Sequence, residues 1–127
     1  MQKQLISPAT VHKAQGYAHA IKVGNTVYIA GQAAIDQNNN VVGIGDFATQ
    51  AHQTFKNLKM VLGAAGANVK DLVESTAYFR NIKDLSTYVE VRREYLGDHL
   101  VAGTAVEIMN LALPEMLIEV EAIAVID

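Results

Sequence analysis

The sequence contains no cysteine among its 127 residues. Without a thiol, the chain cannot form a disulfide, a thiolate metal site, an iron–sulfur cluster or a cysteine nucleophile. Positive charge is also scarce, since 10 Lys and Arg stand against 13 Asp and Glu, for a formal net charge of −3. Because nucleic-acid affinity depends largely on cations that displace counterions from phosphates, we do not expect nucleic acid to be the main partner.

Long apolar runs are missing as well. No uninterrupted apolar stretch approaches the ~18 residues of a membrane-spanning helix, and the opening MQKQLISP has no apolar core of signal-peptide length. We therefore expect a cytoplasmic protein that has no membrane partner. Half of the residues are hydrophobic, which is enough to build one core in a chain of this length. The composition predicts a single domain over residues 1–127.

A hairpin is predicted near the N-terminus. Tyr17–Val23 and Thr26–Gln32 are rich in β-forming residues, and Gly24-Asn25 between them suits a two-residue turn. Such a turn sets the register, and the facing pairs are expected to share one side of the sheet: Val23 with Thr26, Ile21 with Tyr28, His19 with Ala30, and Tyr17 with Gln32. The polar turn 37–40, between two short apolar pieces, suggests a second and weaker hairpin.

The periodicity changes to that of a helix at Asp46. Apolar residues then recur every three or four positions, with Asp46 as N-cap and Gly66 just beyond the end. Asp84 is predicted to cap a second helix, and the remaining segments read as strands: Leu72–Arg80, Gly103–Met109 and Leu117–Ile126. The last strand is apolar on both faces near its end, which is typical of a buried strand end. This order predicts an α/β fold in which a mixed sheet is covered on one face by two helices.

The segment Gly43–Ala48 matches the dinucleotide fingerprint G-x-G-x-x-A, but its context does not fit. Only Val41-Val42 precede it as strand, and Asp46 places an acid where a pyrophosphate needs the positive end of the helix. We interpret the glycines as a bend into a helix that Asp46 caps, and we expect no cofactor.

The four histidines include no pair at a spacing of three or four, so no metal site is predicted. His19 is the one to consider as a site residue, because the predicted hairpin places it beside Tyr17. The alternative is a packed and hydrogen-bonded histidine of the sheet.

Two carboxylates in the last strand are candidates for acid–base chemistry. The serines lack a base at a recognisable spacing, so covalent serine catalysis has no support. Glu119 and Glu121 lie at i and i+2, on the same side as Ile123 and Val125. A carboxylate that is partly desolvated there is a candidate general base. The alternative is that both glutamates are ordinary surface charges.

Several motifs taken together resemble the RidA/YjgF family of reactive-intermediate deaminases, also called L-PSP endoribonuclease-like. The resemblance runs from about Val11 to the C-terminus. Its motifs are Tyr17-Ala18-His19-Ala20, Gly24–Gln32, Gln50-Ala51, Ala64–Ala67, Val106-Glu107-Ile108 and Ile118–Val125.

The resemblance implies a chorismate-mutase-like fold assembled as a homotrimer, with small-molecule clefts between subunits. It also implies cofactor-independent hydrolysis of enamines or imines to a 2-oxo acid and ammonia. Glu119 matches the glutamate that activates water, and Tyr17 matches the cleft tyrosine. Gly31 and Ala105 match positions whose backbone faces the ligand, and Thr104 lies between Ala105 and Gly103.

The same resemblance identifies a missing cation. In the family's archetypal branch an arginine on the penultimate strand binds the substrate carboxylate, and Gly103 takes its place here. Ala30 replaces a family serine, and Val89 replaces an asparagine of the second helix. We therefore do not expect a standard 2-iminobutanoate/2-iminopropanoate deaminase unless Arg80, Arg92 or Arg93 enters the cleft.

Three functions follow from these observations. The first is a trimer that binds a small metabolite, neutral or differently charged, and hydrolyses an imine-like bond in it. The second is a trimer that binds a ligand or a protein partner without catalysis, since a fold does not carry its chemistry with it. The third, an endoribonuclease or translation inhibitor, is disfavoured by the acidic composition.

Overall fold

A computed structural model describes residues 2–127 of the chain. It contains six strands and two helices, together with two short 3-10 turns at Val69–Asp71 and Ile82–Asp84. The elements in chain order are β1 (Lys3–Ile6), β2 (Ala20–Val23), β3 (Thr26–Ala33), α1 (Phe47–Ala64), β4 (Leu72–Phe79), α2 (Leu85–Leu96), β5 (Ala102–Glu107) and β6 (Ile118–Val125).

The strands form one mixed sheet in the order β1-β2-β3-β6-β4-β5. Only β4 and β5 run parallel, and all the other neighbours are antiparallel. Every second residue of β6, beginning with Ile118, is buried in the core that α1 and α2 cover. This confirms the predicted mixed sheet with helices on one face. Strand β1 was not predicted, because three of its four residues are exposed and its sequence shows no alternation.

The predicted hairpin is confirmed near its turn and wrong at its far end. Ile21 faces Tyr28, and the Ala30 amide donates to the His19 carbonyl at 2.9 Å. However, β2 begins at Ala20, so Tyr17 lies outside the strand. The pairing of β3 with β6 also shifts between Ile29 and Gln32. This bulge shifts the alternation of side chains between the two faces of the sheet. The side chain of Gln32 therefore lies on the buried face, opposite to the face that carries Tyr28.

In place of the second, weaker hairpin predicted around residues 37–40, the structure has a single antiparallel bridge between Ile35 and Val41. Beyond it, Gly43 and Gly45 adopt left-handed conformations, with φ of 67° and 78°, and bend the chain into α1. The Asp46 carboxylate then accepts a hydrogen bond from the Thr49 amide at 3.2 Å. The interpretation of Gly43–Ala48 as a helix start is confirmed, as is Gly66 beyond the helix end, with φ of 79°.

The predicted cap of the second helix is wrong. Asp84 makes no side-chain hydrogen bond to α2 and already has helical backbone angles. A 3-10 turn precedes the helix, and the Asn81 side chain caps that turn by accepting from the Lys83 amide at 3.0 Å. A capping side chain requires an extended backbone, which Asn81 has and Asp84 does not.

The second face of the sheet is uncovered in the single chain, and we call it the open face. One row of apolar side chains crosses it, since Leu5 faces Ile21, Ile21 faces Tyr28, and Tyr28 faces Ile123. Leu5 is 72% exposed and Tyr28 51%. Val125 is 40% exposed, so the end of β6 is not buried on both faces within one chain. Neither helix among residues 2–127 is long and apolar enough to cross a membrane.

Candidate functional site

Glu119 lies near the start of β6, on the open face, and its side chain is half-buried against Gly31. A Cβ atom added to Gly31 would lie 2.6 Å from the Cδ and Oε2 atoms of Glu119. Gly31 belongs to the bulged part of β3, so the irregular pairing brings its backbone close to the carboxylate. The absence of a side chain at Gly31 is what makes room for Glu119 in this position.

The electrostatic surroundings disfavour a charge on Glu119. Burial raises the pKa of its carboxyl group, and the neighbouring carboxylate of Glu121 raises it further. Glu121 itself is exposed and accepts a hydrogen bond from the Tyr78 hydroxyl at 2.6 Å, which is the main reason that the pKa of Tyr78 is raised. Of the two carboxylates, Glu119 is therefore the one suited to exchanging protons closer to neutral pH.

Tyr17 lies close to Glu119 although the two are 102 positions apart. Its side chain is 48% exposed, and its hydroxyl oxygen is 3.1 Å from Nε2 of His12. Burial raises the pKa of the Tyr17 phenol, and the charge of Glu119 raises it further. The chain thus brings a phenol and a carboxylate to one end of the open face.

His19 is fully buried behind Tyr17, and the two rings meet edge to face at 5.8 Å. Its Nε2 lies 2.7 Å from the His12 carbonyl oxygen, and its Nδ1 lies 3.1 Å from Nε2 of Gln32. Both ring nitrogens are therefore occupied within the chain. His19 is thus packed and hydrogen-bonded within the chain, which was the alternative to a role as a site residue.

Ala30 lies on the open face beside a shallow depression of 360 Å³. Two carboxylates, those of Glu74 and Glu121, line the same depression, together with Thr76 and the apolar Ile123. No Lys or Arg among residues 2–127 forms an ion pair with either glutamate. The depression is therefore acidic in the single chain.

Gly103 lies elsewhere, on the edge strand β5. It faces Ser75, and Ser75 faces Ala122, whose side chain points into the helix-covered core. Gly103 and Ala105 therefore lie on the helix side, whereas Thr104 lies on the open face in line with Thr76. Because β4 separates β5 from β6, Gly103 is about 10 Å from the strand of Glu119 and on the opposite face. One chain does not bring these two groups of predicted site residues together.

A second cavity, of 290 Å³, joins Gly103 to Val89 of α2. Arg92 and Arg93 also line it, as does His99. The guanidinium of Arg92 lies 5.6 Å over the ring of the buried Tyr88. Among residues 2–127, neither arginine forms an ion pair with a carboxylate. The spacing of three and four residues from Val89 could have indicated that both arginines share its helix face.

Arg80, the remaining arginine, is engaged differently. Its Nη1 atom donates to the Pro114 carbonyl at 3.3 Å, and it does not line the cavity beside Gly103. Two of the three arginines considered as substitutes for the cation missing at Gly103 are therefore placed next to that residue.

Gln50 is a positioning residue to which the sequence analysis assigned no role, although it belongs to one of the motifs that carry the resemblance. Its fully buried amide donates to the Glu115 carbonyl at 2.8 Å and to the Gly43 carbonyl at 3.2 Å, and it accepts from the Leu117 amide at 2.8 Å. These bonds tie the start of α1 to the segment that leads into Glu119. No local sequence pattern reports a contact between residues more than 60 positions apart.

Comparison with known proteins identifies the family. The model of the endoribonuclease L-PSP family matches residues 8–126, which is nearly the whole chain. The chain belongs to this family, the RidA/YjgF family. A RutC family protein of Pyrococcus abyssi is 38% identical over 125 residues, covering 98% of each chain. The 3-aminoacrylate deaminase RutC of Acinetobacter baylyi is 32% identical over 125 residues, again covering 98% of both.

The fold of a solved RidA/YjgF protein agrees with that of this chain. The crystal structure of RidA from an Antarctic Psychrobacter superposes with a TM-score of 0.91 at 32% identity, covering 97% of this chain and 99% of the other. The resemblance noted from the sequence motifs is thereby confirmed, both for the family and for the α/β fold. Among residues 2–127, the RidA/YjgF chain has no group of three or more His, Asp or Glu side chains that could hold a metal ion.

Proposed function

We propose that this RidA/YjgF protein hydrolyses the carbon–nitrogen bond of a small imine or enamine, in clefts formed between the subunits of a homotrimer. The observation that carries the proposal is the position of Glu119, half-buried against Gly31 and beside Tyr17. A relative that is 32% identical is a 3-aminoacrylate deaminase, which supports a substrate of this class.

In the proposed reaction, Glu119 acts as the general base. Its carboxylate takes a proton from water while the water oxygen forms a bond to the imine carbon, and the electron pair of the C=N bond moves to nitrogen, which takes up a proton. That proton comes from Glu119, which returns the proton taken from water, so the carboxylate is regenerated. The carboxylate then takes the hydroxyl proton of the carbinolamine as the C=O bond forms and the C–N bond breaks, and it passes this proton to the nitrogen, which leaves as ammonia. Tyr17 donates a hydrogen bond to the reacting group. The raised pKa of Glu119 suits both proton transfers, because acid–base catalysis is most effective when the pKa lies near the working pH.

The two separated groups of site residues support assembly between copies. Glu119, Tyr17, Gly31 and Ala30 lie on or beside the open face, whereas the cavity of Gly103 and Val89 lies on the helix side near the sheet edge. A neighbouring copy is needed to place one group opposite the other. The exposed apolar row from Leu5 to Ile123 supplies a surface that assembly would remove from water.

The cavity beside Gly103 bears on the charge of the substrate. The glycine alone favours a ligand that is neutral or differently charged. However, Arg92 and Arg93 line the same cavity, together with Asp98, and neither arginine forms an ion pair with a carboxylate among residues 2–127. A planar guanidinium binds a carboxylate through two charge-assisted hydrogen bonds. We therefore propose that the substrate carries a carboxylate and that α2 provides the cation in place of β5.

Ammonia release tests this function. Wild-type protein and the Glu119→Gln variant are assayed with freshly generated iminoacrylate and with an uncharged imine analogue. The matched control is Glu90→Gln, which changes an exposed carboxylate of α2. We expect Glu119→Gln to lose turnover and Glu90→Gln to retain it. Equal activity of wild type and Glu119→Gln would remove the proposed base.

The other two functions predict different outcomes. Saturable ligand binding without ammonia release in the wild type would identify a binding protein that is not an enzyme. For the endoribonuclease function, the three carboxylates of the open face, Glu74, Glu119 and Glu121, would repel a phosphate backbone. RNA binding that persists at high salt, in preparations free of metal and contaminating nuclease, would overturn this argument.

A further inference from the structure

Tyr17 contacts a buried histidine whose role the proposed reaction does not explain. His12 is 7% exposed, and its Nε2 lies 3.1 Å from the hydroxyl oxygen of Tyr17. The His12 ring also packs edge to face against His19, with the ring centroids 4.6 Å apart. The protonation of both rings can be worked out from their hydrogen bonds.

The proton of His19 is on Nε2. This nitrogen lies 2.7 Å from the His12 carbonyl oxygen, which only accepts, so Nε2 must donate. The other nitrogen, Nδ1, then accepts from the Gln32 amide nitrogen at 3.1 Å, while the same amide donates to the Ala30 carbonyl at 3.1 Å. These contacts hold the His19 ring in one orientation, and its bond to the carbonyl anchors the backbone of His12.

His12 has a different pattern. Its Nδ1 is buried and has no hydrogen-bond partner among residues 2–127. A proton on Nδ1 would leave a buried donor unpaired, which is rarer in proteins than an unpaired acceptor. A second proton would place a charge in a buried site next to another imidazole, and both effects lower the pKa of His12. The favoured form therefore carries one proton, on Nε2.

From this geometry we propose that His12 is a positioning residue for Tyr17: its Nε2–H donates to the hydroxyl oxygen and so directs the hydroxyl proton towards the ligand. A phenol proton lies near the ring plane and has two orientations there. A donor that occupies one of the two leaves the proton in the other. Tyr17 then meets the ligand as a hydrogen-bond donor, and its partner must be an acceptor, such as the imine nitrogen or the oxygen of the carbinolamine.

The catalytic consequence rests on the proposed function, but the direction of the hydrogen bond can be measured without any substrate. A donor to the phenol oxygen stabilises the phenolate, whereas an acceptor stabilises the neutral phenol. If His12 donates, its removal raises the pKa of Tyr17. If His12 accepts, its removal lowers that pKa. The titratable groups that face Tyr17 are His12, His19 and Glu119, so the measurement is repeated in Glu119→Gln to separate the influence of the carboxylate.

The experiment is an NMR titration of protein labelled with ¹³C at the tyrosine Cζ. The chain has five tyrosines, and Tyr17→Phe assigns the signal of interest. The variants are His12→Phe, which removes the donor, and His12→Gln, which offers an amide donor from the same place. The matched control is His52→Phe, because His52 makes a similar contact to the Tyr95 hydroxyl at 2.9 Å, away from the site.

We expect the pKa of Tyr17 to rise in His12→Phe and to return towards the wild-type value in His12→Gln, with no change in His52→Phe. With substrate, kcat should fall about tenfold in His12→Phe at nearly constant KM, which corresponds to one misdirected hydrogen bond. A fall in the pKa of Tyr17, or an unchanged value, in a folded His12→Phe protein would overturn the proposal. So would a pKa in His12→Gln that is no closer to the wild-type value than the pKa in His12→Phe. If the pKa rises and even the wild type releases no ammonia, the positioning stands and the proposed reaction fails.

Discussion

Replacing Gly31 by alanine should displace the carboxylate of Glu119 and leave the stability of the fold nearly unchanged. The new Cβ would lie 2.6 Å from Cδ and Oε2 of Glu119 and 2.9 Å from its Cγ. Non-bonded carbon atoms settle at about 3.5–4.0 Å, so the carboxylate must retreat by roughly 1 Å. The obstructed atoms belong to the end of a flexible side chain and not to the backbone, so the strand can stay in place while the carboxylate moves.

The magnitudes of the two effects differ. Gly31 does not have the left-handed backbone that alanine resists, so the substitution reduces the freedom of the unfolded chain, a gain of about 0.4–1 kcal/mol. This gain offsets part of the cost of moving Glu119. A displacement of about 1 Å at a reacting group can lower the rate by about 100-fold. We therefore expect Gly31→Ala to fold with nearly wild-type stability and to release ammonia about 100-fold more slowly.

The assay combines urea unfolding with kcat/KM for ammonia release. Gly63→Ala is the matched control, because Gly63 lies in α1 with open space around its missing Cβ. It should gain up to about 1 kcal/mol of stability without losing activity. In a Glu119→Asp background, whose side chain is shorter, Gly31→Ala should cost less than in the wild type. Wild-type activity in Gly31→Ala, with Glu119 shown to have moved, would refute the reasoning.

Four further outcomes follow from the same contacts. Glu119→Gln should raise the melting temperature at pH 7, because burial in the folded protein disfavours the charged carboxylate, as its raised pKa indicates. This gain should disappear below pH 4.5, where the carboxyl group is protonated, and an equal gain at both pH values would contradict the prediction. Glu121→Gln should move the acid limb of kcat/KM to lower pH, since Glu121 helps to raise the pKa of Glu119; a shift to higher pH would contradict it. Gln50→Leu should cost roughly 3 kcal/mol in urea unfolding, because three backbone groups lose their partner, and a loss well under 1 kcal/mol would show that those groups find others. Replacing Arg92 and Arg93 by glutamine should raise KM for a carboxylate substrate about 10- to 100-fold and leave that of an uncharged imine unchanged, whereas equal effects on both would rule out a carboxylate contact.

Local patterns predicted those parts of the structure whose causes lie within a few residues. The turn Gly24-Asn25 set the register of Ile21 against Tyr28. The Asp46 cap placed the start of α1, because the capping group and its target are three residues apart. Strand alternation put Glu119 on the open face with Glu121. In each of these cases the determining contact is short in sequence.

Other features depend on contacts between distant segments. The bulge at Ala30 and Gly31 follows from the pairing of β3 with β6, about 90 residues later, so alternation alone put Gln32 on the wrong side. The Asp84 cap failed because a 3-10 turn moved the capping position to Asn81. The sequence did not decide whether Glu119 is partly desolvated or an ordinary surface charge. Its partial desolvation comes from its packing against another strand.

By itself, the sequence determined the order of the helices and strands from β2 onwards, the ends of the first helix, the face that carries Glu119 and, through its motifs, the RidA/YjgF family. Tertiary structure alone decided that Gly31 makes room for the carboxylate, that His12 contacts the Tyr17 hydroxyl, and that Arg92 and Arg93 line the cavity of Gly103. The physical reason is range: backbone propensity and capping act over a single turn, whereas a site is made where strands and helices that are far apart in the chain pack together.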